Sequence, residues 1–165
     1  MLTFMRGCPG SGKSTAAARL AAELSENCAI YSTDDFWLVD GEYKFDPTML
    51  DEAHGWNQKR VRAALLENPA RDIIIDNCNT KLAEMQPYLA FAEEFGKACY
   101  QYIPPDMNLV FMNWHWGTSR HAKQTAIVEA LRLWERCKHK MPFHQLFKKV
   151  EEFEITDDIH YVTLK

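Results

Sequence analysis

The stretch Gly7-Cys8-Pro9-Gly10-Ser11-Gly12-Lys13-Ser14 constrains this chain more than any other. Its glycines free the backbone to turn N–H groups inward on an anion, and the lysine and serine that follow add an ammonium and a hydroxyl, the pattern G-x-x-x-x-G-K-[ST]. At average amino-acid usage a chance match in a chain this long is on the order of one in a hundred. The flanks narrow it further. Leu2-Thr3-Phe4-Met5 is an apolar, strand-like run before the loop, and Ser14 to Leu20 is strongly helix-forming after it. Strand, loop and helix in that order is the setting of a phosphate-binding loop. Gly7, Gly10, Ser11, Gly12, Lys13, Ser14 and Thr15 are therefore the expected nucleotide-binding residues, with Lys13 on the phosphates and Ser14 also on Mg²⁺. The competing reading is a glycine-rich surface turn.

With 165 residues the chain is expected to form one domain, 1–165, able to bury roughly 70% of its unfolded surface. Its 47% hydrophobic and 25% charged residues are ordinary for a globular fold. The start of the sequence has no basic-then-apolar leader, and no run of about 18 apolar residues occurs, which predicts a cytoplasmic or nuclear protein, not a secreted or membrane-inserted one. The 5 cysteines are odd in number and form no C-x-x-C, so they read as small buried apolar groups, not disulfides or zinc ligands. A net charge of −4 argues against broad non-specific nucleic-acid binding. Between Gly117 and Lys149, however, Arg120, Lys123, Arg132, Arg136, Lys138, Lys140, Lys148 and Lys149 face only Glu129 and Glu135. Either a solvated helix face or a local basic surface accounts for that bias.

Carboxylates recur where ligands bind in open α/β sheets, at the carboxyl ends of strands. A helix from Lys13 to about Ser25 leads to a short strand, Cys28 to Ser32, and then to Thr33-Asp34-Asp35-Phe36-Trp37. Of the two adjacent acids one is expected to be catalytic and one structural. Asp46-Pro47 is a helix start, and the following helix to about Asn68 carries Leu50, Ala53, Asn57, Val61, Ala64 and Leu65 along its inner stripe. Asp72-Ile73-Ile74-Ile75 is a β-branched run of the kind buried on both faces of a parallel sheet. Asp76 at its end is placed to support Mg²⁺ and its water. Asn79 or Thr80 could cap the helix expected from Glu84 to Phe95, and Ala98 to Ile103 is a fourth strand ended by Pro104-Pro105.

Beyond Asp106 the pattern is less regular. Trp114-His115-Trp116 suits core packing or a base-stacking platform. Gly117 to Lys123 reads as a basic linker before a helix from about Gln124, with Ile127, Leu131 and Trp134 as its packing stripe. Such a linker suits a phosphate-sensing lid, about 114–126, or a plain loop. A last strand is expected around Ile159 to Leu164.

Several of these segments together resemble a known family. Arg6 to Thr15, Ser32 to Phe36, Glu52-Ala53-His54, Trp56 to Arg60, Ile73 to Asn77 with Asn79, Glu84-Met85 and Pro87-Tyr88 are similar to the P-loop kinase domain of the Nedd-four-binding proteins. That group is itself similar to the kinase module of phage polynucleotide kinase. The match covers about the first 105 residues. It implies a three-layer α/β P-loop kinase fold with a mainly parallel sheet and a helical lid. It also implies ATP and Mg²⁺ as cofactors, and transfer of the γ-phosphoryl to a 5′-hydroxyl of DNA or RNA. Asp34 would be the general base, and a lid arginine, here Arg120 with Lys123 as helper, would carry charge on the transferring phosphoryl. Asp35, Trp37, Asn77 and Asn79 fall on the acceptor side. The chain departs from the phage enzymes at Trp37, where they have an arginine that grips the acceptor phosphate, so stacking would replace that grip. It also lacks the family's arginine-rich lid pattern and His-Gly-Val motif. A nucleoside or sugar kinase, or an ATP-binding interaction module without activity, are the alternatives.

Overall fold

Period-two alternation decides which layer each strand residue joins. In β1 (Leu2–Met5) Leu2 and Phe4 face one layer of helices while Met5 faces the other, and in β5 (Ile73–Ile75) Ile73 and Ile75 part from Ile74 in the same way. The computed structural model describes residues 1–164. Its main sheet runs β2 (Ala29–Tyr31), β5, β1, β6 (Cys99–Tyr102), β7 (His160–Tyr161), with every pair parallel. On one face α2 (Leu50–Glu67) and α3 (Leu82–Glu94) bury Val61, Ala64, Leu65, Met85 and Tyr88. On the other, α1 (Lys13–Leu24) buries Ala16, Ala17 and Leu20. This is the three-layer α/β P-loop architecture. Successive strands are added on one side of β1 up to β5 and on the other from β6 on, so the chain reverses direction beside β1 and opens a crevice at its carboxyl end.

Between β2 and α2 lie a 3₁₀ turn (Thr33–Trp37) and a small antiparallel hairpin of β3 (Leu38–Val39) and β4 (Glu42–Tyr43). Asp46 caps the next 3₁₀ turn, accepting the Thr48 N–H at 2.9 Å, and that turn leads into α2. Of the stripe expected on α2, Ala53, Asn57, Val61, Ala64 and Leu65 are buried and Leu50 is exposed.

A third apolar cluster gathers α4 (Pro105–Phe111), α5 (Arg120–Glu135) and α6 (Phe143–Glu152) around Cys8 of the loop after β1. Here the chain differs from expectation. Met112–Trp116 continues α4 as a π-helical turn, Ser119 caps α5 by accepting the Ala122 N–H at 3.0 Å, and the linker shrinks to residues 117–119. The face of α5 is also shifted by one position. Ala126, Ala130 and Leu133 are buried and Ile127 and Leu131 are exposed, because small residues let this helix approach the P-loop closely. Trp114 packs edge-on against Phe147 at 4.7 Å, within the core cluster.

Arg6 fastens these parts. Fully buried, it donates from Nε to the Asn79 carbonyl at 2.8 Å, from Nη1 to Gln101 Oε1 at 2.9 Å and from Nη2 to the Glu154 carbonyl at 2.6 Å. Its guanidinium lies 4.4 Å from the Phe153 ring centre, and burial lowers its pKa to about 10.

Candidate active site at the P-loop

The donor half is built by the start of α1. Gly12 precedes the helix in the left-handed region (φ 89°), and no side chain caps it. An uncapped helix start leaves its first N–H groups without intrahelical partners and aims them at whatever anion lies beyond. A Cβ on Gly12 would meet nothing within 4 Å, so the space above it is open. Gly10 (φ 83°) is the opposite case: a Cβ there would lie 2.6 Å from the Leu133 carbonyl of α5. Lys13 is buried, with Nζ 3.5 Å from the Cys8 carbonyl, while Ser14 and Thr15 are exposed on the first turn. Burial pushes the Cys8 thiol up to about 12, which removes it from nucleophilic chemistry.

Asp76, directly after β5, accepts the Ser14 hydroxyl on Oδ2 at 2.8 Å. Its Oδ1 is buried without a hydrogen-bond partner, as is Ser11 Oγ. Burial raises the Asp76 pKa above the usual carboxylate range, against the pull of Lys13 and Ser14, and Asp34 and Asp35 push in the same direction as burial. An orphaned carboxylate oxygen beside a serine hydroxyl fits a hard divalent cation that takes oxygen ligands, as Mg²⁺ does. The open space over Gly12 fits a phosphate.

The side of the crevice across from the P-loop is built by the 3₁₀ turn after β2. The Asp34 N–H donates to Ser32 Oγ at 3.2 Å, and the Asp34 side chain is exposed. Asp35 is held by Arg60, whose Nη2 donates to its Oδ2 at 2.8 Å and also to Asn57 Oδ1 at 2.9 Å. The same guanidinium stacks on Trp56 at 4.2 Å and on Tyr31 at 4.9 Å. Asn77 Oδ1 accepts the Thr33 N–H at 2.8 Å, which ties the end of β5 to the turn that carries Asp34. Beneath them Asn57 Nδ2 donates to the Tyr88 hydroxyl at 2.9 Å.

Three residues expected at the site lie elsewhere. Trp37 is 2% exposed, its ring closed in by Phe36 at 5.0 Å and Phe45 at 4.9 Å, so it offers no face to a base. Asn79 is 1% exposed and donates from Nδ2 to the Met5 carbonyl at 2.8 Å, bracing the P-loop from behind. Arg120 is the first residue of α5, and hydrogen bonds join that helix to the loop at its far end. Cys137 Sγ lies 3.3 Å from the Pro9 carbonyl and Arg136 Nη1 donates to the Gly10 carbonyl at 3.4 Å. The 16 residues of α5 separate Arg120 from that end by about 24 Å at 1.5 Å per residue. Arg136 is the arginine at the loop. The signal for it was the stripe Ala126, Ala130, Leu133 and Cys137, in which two alanines and a cysteine mark the face of close approach.

This crevice, with its glycine cradle, buried lysine and serine-carboxylate pair, defines a P-loop kinase-like protein. The sequence pattern of the AAA domain family matches residues 2–110, and the chain belongs to that family. Over 94 residues it is 45% identical to human NEDD4-binding protein 2, a match covering 57% of this chain and 5% of that protein. A solved Pnkp1/Rnl/Hen1 RNA repair complex contains a chain 26% identical, with a TM-score of 0.51, covering 86% of this chain and 46% of that one. A Chloroflexus aurantiacus structure, 13% identical with a TM-score of 0.57, shares the fold over 98% of this chain and 86% of its own. The resemblance to the Nedd-four-binding kinase domain is borne out. This chain spans only a small part of that relative's length. Among the described residues no helix is long and apolar enough to cross a membrane.

Proposed function

We propose that this chain is an ATP-dependent phosphotransferase whose acceptor is a polynucleotide 5′-hydroxyl. The observation that carries the reading is a pair of carboxylates at neighbouring strand ends. Asp76 is bound to Ser14 beside the P-loop, and exposed Asp34 lies within electrostatic reach of it. Phosphoryl transfer asks the protein mainly for position and charge neutralisation. Lys13 and the N–H groups that open α1 hold the donor phosphates, and Ser14 and Asp76 hold the cation. The chemistry Mg²⁺ supplies when bound is neutralisation of charge on the phosphoryl oxygens. Asp34 takes the proton of the attacking hydroxyl as the new O–P bond forms. Arg136 moves from the Gly10 carbonyl onto the transferring phosphoryl and carries part of its charge.

The choice of acceptor is supported by the kinship with NEDD4-binding protein 2 and with a component of an RNA repair complex. A second reading, a small hydroxylated acceptor, is favoured by the acidity of residues 34–52, where 7 carboxylates face one lysine. Incubation with γ-labelled ATP, Mg²⁺ and 5′-hydroxyl DNA and RNA oligonucleotides is expected to label the oligonucleotide. Labelling of nucleosides or sugars alone would install the second reading. ATP binding with no transfer to any acceptor would make the chain a binding module.

A further inference from the structure

Chain that rises from the Asp34 turn is acidic where a nucleic acid would look for cations. Its single ammonium, Lys44, already lies 3.7 Å from Glu42. Phosphate groups gain nothing on such a surface. What the segment does present is aromatic and apolar. Leu38 and Tyr43 are register partners across the β3–β4 ladder, so their side chains share one face, and Phe45 follows two residues later. The three are 56, 52 and 53% exposed. A two-stranded hairpin this short has no core of its own, yet this one is anchored from below. The buried Trp37 meets the Phe45 ring at 4.9 Å, and its carbonyl accepts the Lys44 N–H at 2.7 Å. Phe36 then connects Trp37 to Trp56 of α2, at 5.0 and 5.5 Å. The Phe45 ring is thus fixed to the helix that also holds Asp35, and burial together with the charge of Asp34 raises the Tyr43 pKa, which sets that phenol beside the Asp34 turn.

We propose that the face formed by Leu38, Tyr43 and Phe45 is the platform on which the acceptor's unpaired terminal nucleobase stacks, its phosphates leading away from the acidic rim. The proposal rests on the phosphotransferase reading of the Asp34 crevice. Stacking requires a π face and no cation, and every base supplies one, so the platform selects a nucleoside end without selecting its sequence. It also reconciles an acidic acceptor side with a polynucleotide substrate.

The test uses two 5′-hydroxyl oligonucleotides identical except that one has an abasic first residue. For the unaltered protein kcat/KM is expected to favour the base-bearing strand by roughly 5- to 150-fold, the factor equivalent to stacking of ~1–3 kcal/mol. Phe45→Ala should bring the two strands together, and Phe45→Tyr should restore the difference. Equal rates on both strands, or an unchanged ratio in Phe45→Ala, would overturn the platform and leave the kinase reading standing. A second measurement needs no turnover. A strand with 2-aminopurine at its 5′ end should be quenched on binding, and Phe45→Ala should lose that quenching. Quenching without transfer upholds the platform and removes the kinase activity instead. A dimer of the free protein that Phe45→Ala dissociates would give this face to a second copy and refute the proposal.

Discussion

Asp76→Asn separates what this carboxylate costs the bare fold from what it contributes to a bound nucleotide. In the free protein Oδ2 is satisfied by Ser14 while Oδ1 is buried and unpaired. An unsatisfied buried polar group costs about 1–3 kcal/mol. Asparagine keeps an acceptor for the Ser14 hydroxyl and leaves an unpaired NH₂ where Oδ1 lies, so its gain comes from removing the charge that burial, Asp34 and Asp35 oppose more strongly than Lys13 favours it. Relief of about 1–2 kcal/mol, at about 2–4 °C per kcal/mol for a chain this size, raises the metal-free melting temperature by roughly 2–8 °C. The pH dependence has a definite sign. Because the folded carboxyl has a raised pKa, the native state binds more protons than the unfolded one between the ordinary carboxylate range and that raised value, so unaltered stability falls as pH rises through the window. The advantage of Asp76→Asn is therefore full above the window and closes on acidification into the ordinary carboxylate range. With Mg²⁺ and ATP at about 100 times Kd the unaltered protein gains about 2.7 kcal/mol, and the variant gains less, so the order of melting reverses. Scanning calorimetry in EDTA and then in Mg²⁺-ATP, from pH 5 to 8, reads all three effects. A variant that melts below the parent in EDTA, or by the same margin at every pH, refutes the burial argument.

Asp34→Asn should lower kcat by about 10²–10⁴ with ATP affinity nearly intact in a nucleotide-binding assay; the same loss in Asp35→Asn but not in Asp34→Asn would exchange their roles. Arg136→Ala should slow turnover by about 10²-fold or more, whereas Arg120→Ala should not, and the reverse result in steady-state kinetics would return the lid role to the start of α5. Gly10→Ala drives a Cβ against the Leu133 carbonyl, so α5 must move off the loop; weaker ATP binding by calorimetry is the expected readout, and unchanged binding would mean that this packing is not needed. Arg6→Ala leaves the Asn79 and Glu154 carbonyls and Gln101 Oε1 without their donor and opens a large cavity, for a loss of about 3–5 kcal/mol in denaturant unfolding.

The donor half was legible in sequence because each of its parts is local. The loop, the helix it opens and the β-branched strand before Asp76 carry their signals within a few neighbouring residues, and the sheet then brings Ser14 and Asp76 together. Asn57 was also legible, as a polar residue in an apolar stripe that proves to be fully buried against Tyr88. The lid was not legible, and the reason is steric. Helical periodicity weights large apolar side chains, so Ile127, Leu131 and Trp134 read as the inner face; Trp134 does pack against the core, but Ile127 and Leu131 turn outward and Ala126 and Ala130 take the inner positions beside the loop. The arginine was hidden by its place along the helix, since the contact with the loop falls at the end of α5, where Arg136 and Cys137 lie, and not at its start. Trp37 misled for a related reason. Sequence shows an aromatic one turn after a candidate base but not which of the neighbouring rings is outermost, and with Phe36, Phe45 and Trp56 nearby the largest ring becomes the support while smaller rings face outward. Both errors concern which side chains of neighbouring elements end up inside, a choice made by packing between elements and not by periodicity within one. Here that packing leaves Arg136, not Arg120, against the P-loop and Phe45, not Trp37, as the exposed ring.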